Sequence, residues 1–176
     1  MKRLGMAGLL MLAVCTTATN ASAQAIAQGK NEVSTDVFFI TSKATGDGDA
    51  ERFTEVEWLV GYARFLTDRL AVGPLFRIAK ATGREADGYV GGQGQFYFGD
   101  LTRRAIPFVE INSTKSFKGD FGYSDVQLLA GVMLPMGSTG GRFRVAPYFY
   151  KAFYDESDGG GSFQAFGISW SVALLF

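Results

Sequence analysis

No histidine occurs in the chain, and its only cysteine is Cys15. Without imidazole there is no histidine-assisted serine or cysteine nucleophile and no histidine-ligated metal site. Cys15 falls in a segment expected to be removed, which leaves the mature chain without thiol chemistry or a disulfide. An excess of one charge is also missing. The 17 basic residues balance 17 acidic ones, and nothing argues for nucleic acid. Proline is scarce, at 4 of 176 residues. Beyond the N-terminus, no apolar run reaches the roughly 20 residues of a membrane-spanning helix. Glycine is abundant instead, with 23 residues beside 16 phenylalanines. A disordered chain pairs its glycine with few aromatics, so this composition describes one folded, aromatic-rich domain.

The first residues form an address label. Lys2 and Arg3 are followed by an apolar stretch over 4–14 and by Ala21-Ser22-Ala23, small at both positions that precede a cut. This is the secretory signal pattern, and the apolar stretch is too short to span a bilayer. Leu12-Ala13-Val14-Cys15 resembles a lipoprotein processing box, but Val14 is bulky where such boxes carry a small residue. We therefore expect a signal peptide over 1–23 and a mature domain over 24–176 that starts at Gln24. Losing Lys2 and Arg3 makes the mature chain slightly acidic.

The rest alternates with a period of two, the signature of a strand. The last segment is clearest. Phe166, Ile168, Trp170, Val172, Leu174 and Phe176 form a large apolar face, opposed by Ala165, Gly167, Ser169, Ser171 and Ala173. Seven earlier segments alternate too. Val33, Val37 and Phe39 oppose Ser34 and Asp36 in a first strand from Glu32 to Lys43. In the second, Val56, Trp58, Val60 and Tyr62 oppose Glu55, Glu57, Gly61 and Ala63. Val72, Pro74, Phe76 and Ile78 oppose Ala71, Gly73 and Arg77. Val90, Phe96 and Phe98 oppose Gly91, Gln93, Gln95 and Tyr97. Val109 and Ile111 oppose Glu110 and Asn112. Val126, Leu128, Ala130, Val132 and Leu134 oppose Asp125, Gln127 and Gly131. Phe143, Val145, Pro147 and Phe149 oppose Arg144, Tyr148 and Tyr150.

Eight segments of about ten residues suit tilted membrane-crossing strands. The connections at 44–51, 81–88, 117–122 and 155–162 are rich in Gly, Asp and Lys, and are expected to face outward. Those around 67–69, 100–102 and 137–139 are expected to face the periplasm. Alternation does not say which face lies inside, and a soluble β-sandwich or lipocalin-like barrel alternates as well. Three features favour the membrane. The chain ends on an aromatic, one face is broadly apolar, and the other mixes small with charged residues. The expected fold is all-β: an eight-stranded antiparallel transmembrane β-barrel preceded by a cleavable signal peptide.

The run Gly61-Tyr62-Ala63-Arg64-Phe65-Leu66-Thr67-Asp68-Arg69-Leu70-Ala71-Val72-Gly73 resembles the strand–turn–strand repeat of the small outer-membrane β-barrels of OmpA/OmpX type. The end, Trp170-Ser171-Val172-Ala173-Leu174-Leu175-Phe176, resembles the signal by which the outer-membrane assembly machinery recognises its clients. The resemblance covers the mature chain. It implies a bacterial outer-membrane location, with Trp170, Val172, Leu174 and Phe176 as assembly signal. It also implies contact with membrane lipids and lipopolysaccharide. It implies no chemical activity, because such folds host many functions. No periplasmic peptidoglycan-binding domain is expected after the barrel, so an anchoring role through such a domain is not expected either. The lipid-modifying enzymes among such barrels use histidine, which is missing here.

Asp47-Gly48-Asp49-Ala50-Glu51 offers three carboxylates, too few for a calcium loop. Gly91-Gly92-Gln93-Gly94 lies within a strand and not ahead of a helix, which speaks against a phosphate cradle. Glu55, Glu57, Arg77, Glu110, Asp125 and Arg144 should point inward. Paired carboxylates suit acid–base catalysis. In a narrow barrel they more readily form a structural salt-bridge network, since unpaired buried charge is costly. No cofactor, metal or catalytic residue is expected. Geometry across the 67–69 turn predicts a Glu57–Arg77 pair. The acids outnumber the two arginines, which leaves water, Lys115 or a shifted proton to balance them. The lumen is expected to be filled by Gln93, Gln95, Tyr97, Tyr148, Tyr150, Arg77 and Arg144. The expected function is a structural or surface-interaction role in the outer membrane. The alternative is a barrel that binds or passes a small hydrophobic ligand, and a lipid-modifying enzyme is the third reading.

Overall fold

The computed structural model describes residues 26–43, 52–81, 83, 85–118, 123–136, 140–154 and 161–176. The expected signal peptide with Cys15, the acidic run 47–51 and the turn residues 137–139 lie outside the described residues.

Eight antiparallel strands close into one barrel in chain order. They are β1 (Asn31–Lys43), β2 (Arg52–Phe65), β3 (Leu70–Ala81), β4 (Ala86–Tyr97), β5 (Ile106–Lys118), β6 (Tyr123–Met136), β7 (Gly141–Tyr154) and β8 (Ser162–Leu175). β4 starts earlier than its glycines suggested, which narrows the 81–88 connection to 82–85. Both faces fall as the alternation requires. Val56, Trp58, Phe76, Ile111, Leu128 and Ile168 are exposed on the outer wall, while Arg77, Gln95, Tyr97, Glu110 and Arg144 are buried inside.

At the turn end, Thr67 Oγ1 accepts hydrogen bonds from the amides of Arg69 and Leu70, a local closure that short hydroxyl side chains favour. In the next turn Asp100 Oδ1 accepts from the Thr102 amide at 2.9 Å and from its hydroxyl at 2.7 Å. These two bonds hold the Asp100 carboxyl below its ordinary pKa. The segment before β1 crosses this end. Ile26 is buried, the Gly29 amide bonds to the Phe65 carbonyl, and the Gln28 amide bonds to Asp68.

An eight-stranded barrel must coil its strands tightly, and two interrupted ladders show where. Pairing of β2 with β3 skips from Gly61–Leu75 to Arg64–Val72, and pairing of β6 with β7 skips from Leu129–Tyr148 to Val132–Val145. Each gap holds one glycine and one proline: Gly73 with Pro74, and Gly131 facing the Pro147 side. A Cβ on Gly73 would lie 1.9 Å from the Tyr62 carbonyl oxygen, and one on Gly131 would lie 2.1 Å from that of Val145. Only glycine permits so close a backbone approach.

The interior divides by height. At the turn end Ile26, Phe65, Ile106, Phe108, Met133 and Leu175 form an apolar floor. Polar side chains fill the middle. Toward the loops, Phe38 meets Tyr148 edge-on at 5.4 Å and Tyr150 approaches Phe163 at 6.4 Å.

Candidate functional site

The interior polar cluster is the densest chemistry in the barrel, and it has two centres. β7 carries Arg144 inward because its even positions face the lumen. Arg144 Nη1 lies 2.9 Å from Glu110 Oε2 on β5 and 3.4 Å from Glu32 Oε1 on β1, and its Nε donates to Ser171 Oγ on β8 at 3.0 Å. Four strands therefore meet at one guanidinium. The Tyr97 hydroxyl donates to Gln95 Oε1 at 3.0 Å beside it, and the Phe108 ring lies 5.6 Å from the guanidinium carbon.

Arg77 on β3 is the second centre. Its Nη2 donates to Asp125 Oδ2 at 2.5 Å, and its Nη1 stands 3.7 Å from Glu57 Oε1. The Thr114 hydroxyl donates to the same Asp125 oxygen at 2.8 Å. The guanidinium carbon stacks over the Tyr89 ring at 4.0 Å, a contact that gains strength in a desolvated site. Asn112 joins the middle layer by donating from Nδ2 to Glu110 at 2.8 Å and to Gln127 at 3.2 Å.

Five of the six inward charges read from the sequence meet in these clusters: Glu57, Arg77, Glu110, Asp125 and Arg144. The side chain of Glu55 lies outside the described residues. The Glu57–Arg77 pair is present, in the register that sets Leu59 opposite Arg77. Asp125 is nonetheless the closer partner, because β6 faces β3 across the narrow lumen. Lys115 takes no part in the balance. It stands exposed on the outer wall, since its odd position on β5 faces away from Glu110.

Three further buried charges stand outside that set of six, although the alternation of β1 already sets Asp36 on its polar face. Glu32 and Asp36 share the inner face of β1 with Ser34, and Arg142 lies two positions before Arg144. Period two already carried that signal. Glu32 and Arg142 sit at strand ends, where alternation has few positions to count. The described interior thus holds five carboxylates, Glu32, Asp36, Glu57, Glu110 and Asp125, against three guanidinium groups.

Among the described residues no group of three or more acidic side chains is placed to hold a metal ion. Arg77 and Arg144 are instead each clamped between two acids, an arrangement that fixes strands to one another, while Arg142 donates to the Met133 sulfur at 3.4 Å. Trp170, Val172, Leu174 and Phe176 line the outer face of β8 and its end. Trp170 and Phe176 are exposed there and the other two are half-buried. Fold and site together define a closed eight-stranded antiparallel β-barrel with a filled polar interior. In comparisons with known proteins, no family model and no curated protein matches the chain.

Proposed function

We propose that the protein is an integral β-barrel of the bacterial outer membrane, exported by its N-terminal signal, with a structural or surface-interaction role and no catalytic activity. The observation that carries this reading is the orientation of the two faces. Side chains such as Phe76, Ile111, Leu128, Ile168 and Trp170 are exposed around a closed wall, while charges and amides are buried within. A soluble barrel reverses that arrangement, and soluble monomers rarely expose so extended an apolar surface. The strands, at 12 to 14 residues, exceed the roughly 9–11 that a tilted crossing needs. Polar tips on the outer wall are matched locally. Trp58 Nε1 donates to Thr35 at 2.7 Å and the Tyr62 hydroxyl to Asn31 at 2.7 Å.

Lys80, Lys115 and Lys151 stand on the outer wall in the last turnward-to-loopward stretch of β3, β5 and β7. Lys151 lies 5.0 Å from the Phe153 ring. Ammonium groups above an aromatic belt suit anionic lipid headgroups, such as those of lipopolysaccharide. Assembly would run through the machinery that reads the C-terminal strand.

Fractionation and gel mobility test the reading. The mature chain should start at Gln24, resist SDS until boiled, and sediment with outer membranes. Deleting Phe176, or changing both Trp170 and Leu174 to Asp, should lower its level there. Recovery of the wild type in the soluble periplasmic fraction overturns the proposal.

A further inference from the structure

The barrel is not closed equally all round. β1 pairs with β2 over its whole length, from Asn31–Arg64 to Lys43–Arg52. Against β8 its ladder runs only from Glu32–Leu175 to Asp36–Ser171. β8 meanwhile stays paired with β7 as far as Phe153–Ser162. Above Asp36 and Ser171, residues 37–43 and 162–170 therefore face each other as two strand edges without a shared ladder. Exposure follows the same line. Ala165 and Gly167 point inward yet are only half-buried, whereas Tyr148 and Tyr150 beside them on β7 are buried. Phe166 and Ile168, at 77% and 72%, are the most exposed large apolar residues of the described barrel. Behind the seam the Tyr148 ring spans it. A Cβ on Gly167 would lie 2.6 Å from the Tyr148 hydroxyl, and the far side of the ring meets Phe38 of β1.

We propose that this β1–β8 seam is a lateral binding site for a single-chain amphiphile drawn from the surrounding bilayer, with a neutral or cationic headgroup. This rests on the membrane reading above. Strand edges in a bilayer need hydrogen-bonding partners, so hydrocarbon alone does not satisfy them and a polar head does. The apolar chain lies along Phe166 and Ile168. The head turns inward past Tyr148, toward Asp36 and Ser171 at the foot of the seam. Charge selects the head. Among the described residues the interior buries five carboxylates against three arginines, so it favours a cation or hydroxyl over another anion. Tyr148 forms the back wall of the site, its ring filling the space that Gly167 leaves on the β8 side.

The test uses the mature barrel in phospholipid vesicles, with insertion first verified by heat-modifiable mobility. Failure to insert overturns the membrane reading itself. For the inserted protein, two cysteine pairs compare the seam with the closed ladder: T41C/F166C across the seam and V33C/L174C within the paired stretch. Oxidation should join the second pair and leave the first open, because a disulfide needs Cα atoms within about 7 Å. Equal disulfide yields overturn the opening. A spin-labelled long-chain amine and the carboxylic acid of the same chain length then report binding by electron paramagnetic resonance. The amine should show a several-fold larger immobilised fraction than the acid. That fraction should fall when a bis-maleimide bridges K43C/Q164C, a pair across the same seam that spares Phe166 and Ile168, and rise in Y148A. Equal immobilisation of the two probes, or a fraction insensitive to the bridge, overturns the site.

Discussion

The turn-side and loop-side halves of the barrel hold their charges differently. On the turn side, Arg144 joins β1, β5, β7 and β8 above an apolar floor, at the level where the β1–β8 ladder is formed. On the loop side, Arg77 joins β2, β3 and β6 beneath aromatic rings, where the β1–β8 ladder has ended. The first half is sealed and the second carries a seam. Ion pairs are strongest where water is kept out and costliest there to leave half-made. The contrast therefore places rigidity at the turn end and access at the loop end.

The sharpest way to break this contrast is to remove Arg144. R144M leaves Glu32 and Glu110 buried without their cation, and should cost about 3–5 kcal/mol. Urea unfolding in vesicles, followed by the fluorescence of Trp58 and Trp170, measures it. A loss no greater than that of an arginine-to-methionine change at Arg77 would show that the two halves are equally sealed. Next comes D125N, which weakens a charged hydrogen bond to Arg77 while keeping the bond to Thr114. It should cost about 1.5–3 kcal/mol by the same measurement. E57Q should cost less than D125N, because 3.7 Å lies beyond direct hydrogen-bonding reach. The reverse order would make Glu57 the principal partner.

The smallest expected effect lies beyond the barrel wall, in the exposed turn at Asp100. Its carboxyl is held below the ordinary value by the Thr102 hydroxyl and amide. A depressed carboxyl stabilises above its unfolded pKa, and that contribution fades as pH falls through the folded value. Hydrogen exchange at the Thr102 amide should therefore lose protection on acidification, after correction for intrinsic rates. D100N should remove the dependence, since an amide oxygen still accepts but does not titrate. Strong residual pH dependence in D100N would assign the effect to another group.

Much of the fold was legible because a strand's side chains alternate strictly. Val56-Glu57-Trp58 or Phe143-Arg144-Val145 states two faces without any tertiary information. Neighbour contacts were partly legible too, since the 67–69 turn sets Arg77 near Glu57. Strand ends were less so. Glu32 and Arg142 lie where alternation has few positions left to count, and the glycines of β4 mimicked a loop.

By itself, the sequence determined eight alternating segments, their order, the charges of one face and the aromatic end of the last strand. These follow from local chemistry and the period of two. The tertiary structure decided which face is inside, that Asp125 is the nearer partner of Arg77, and that the β1–β8 ladder stops at Asp36 and Ser171. Those outcomes depend on distances between strands far apart in the chain. Such distances exist only once the sheet has coiled and closed at a particular diameter, with Gly73 and Gly131 letting its backbones approach.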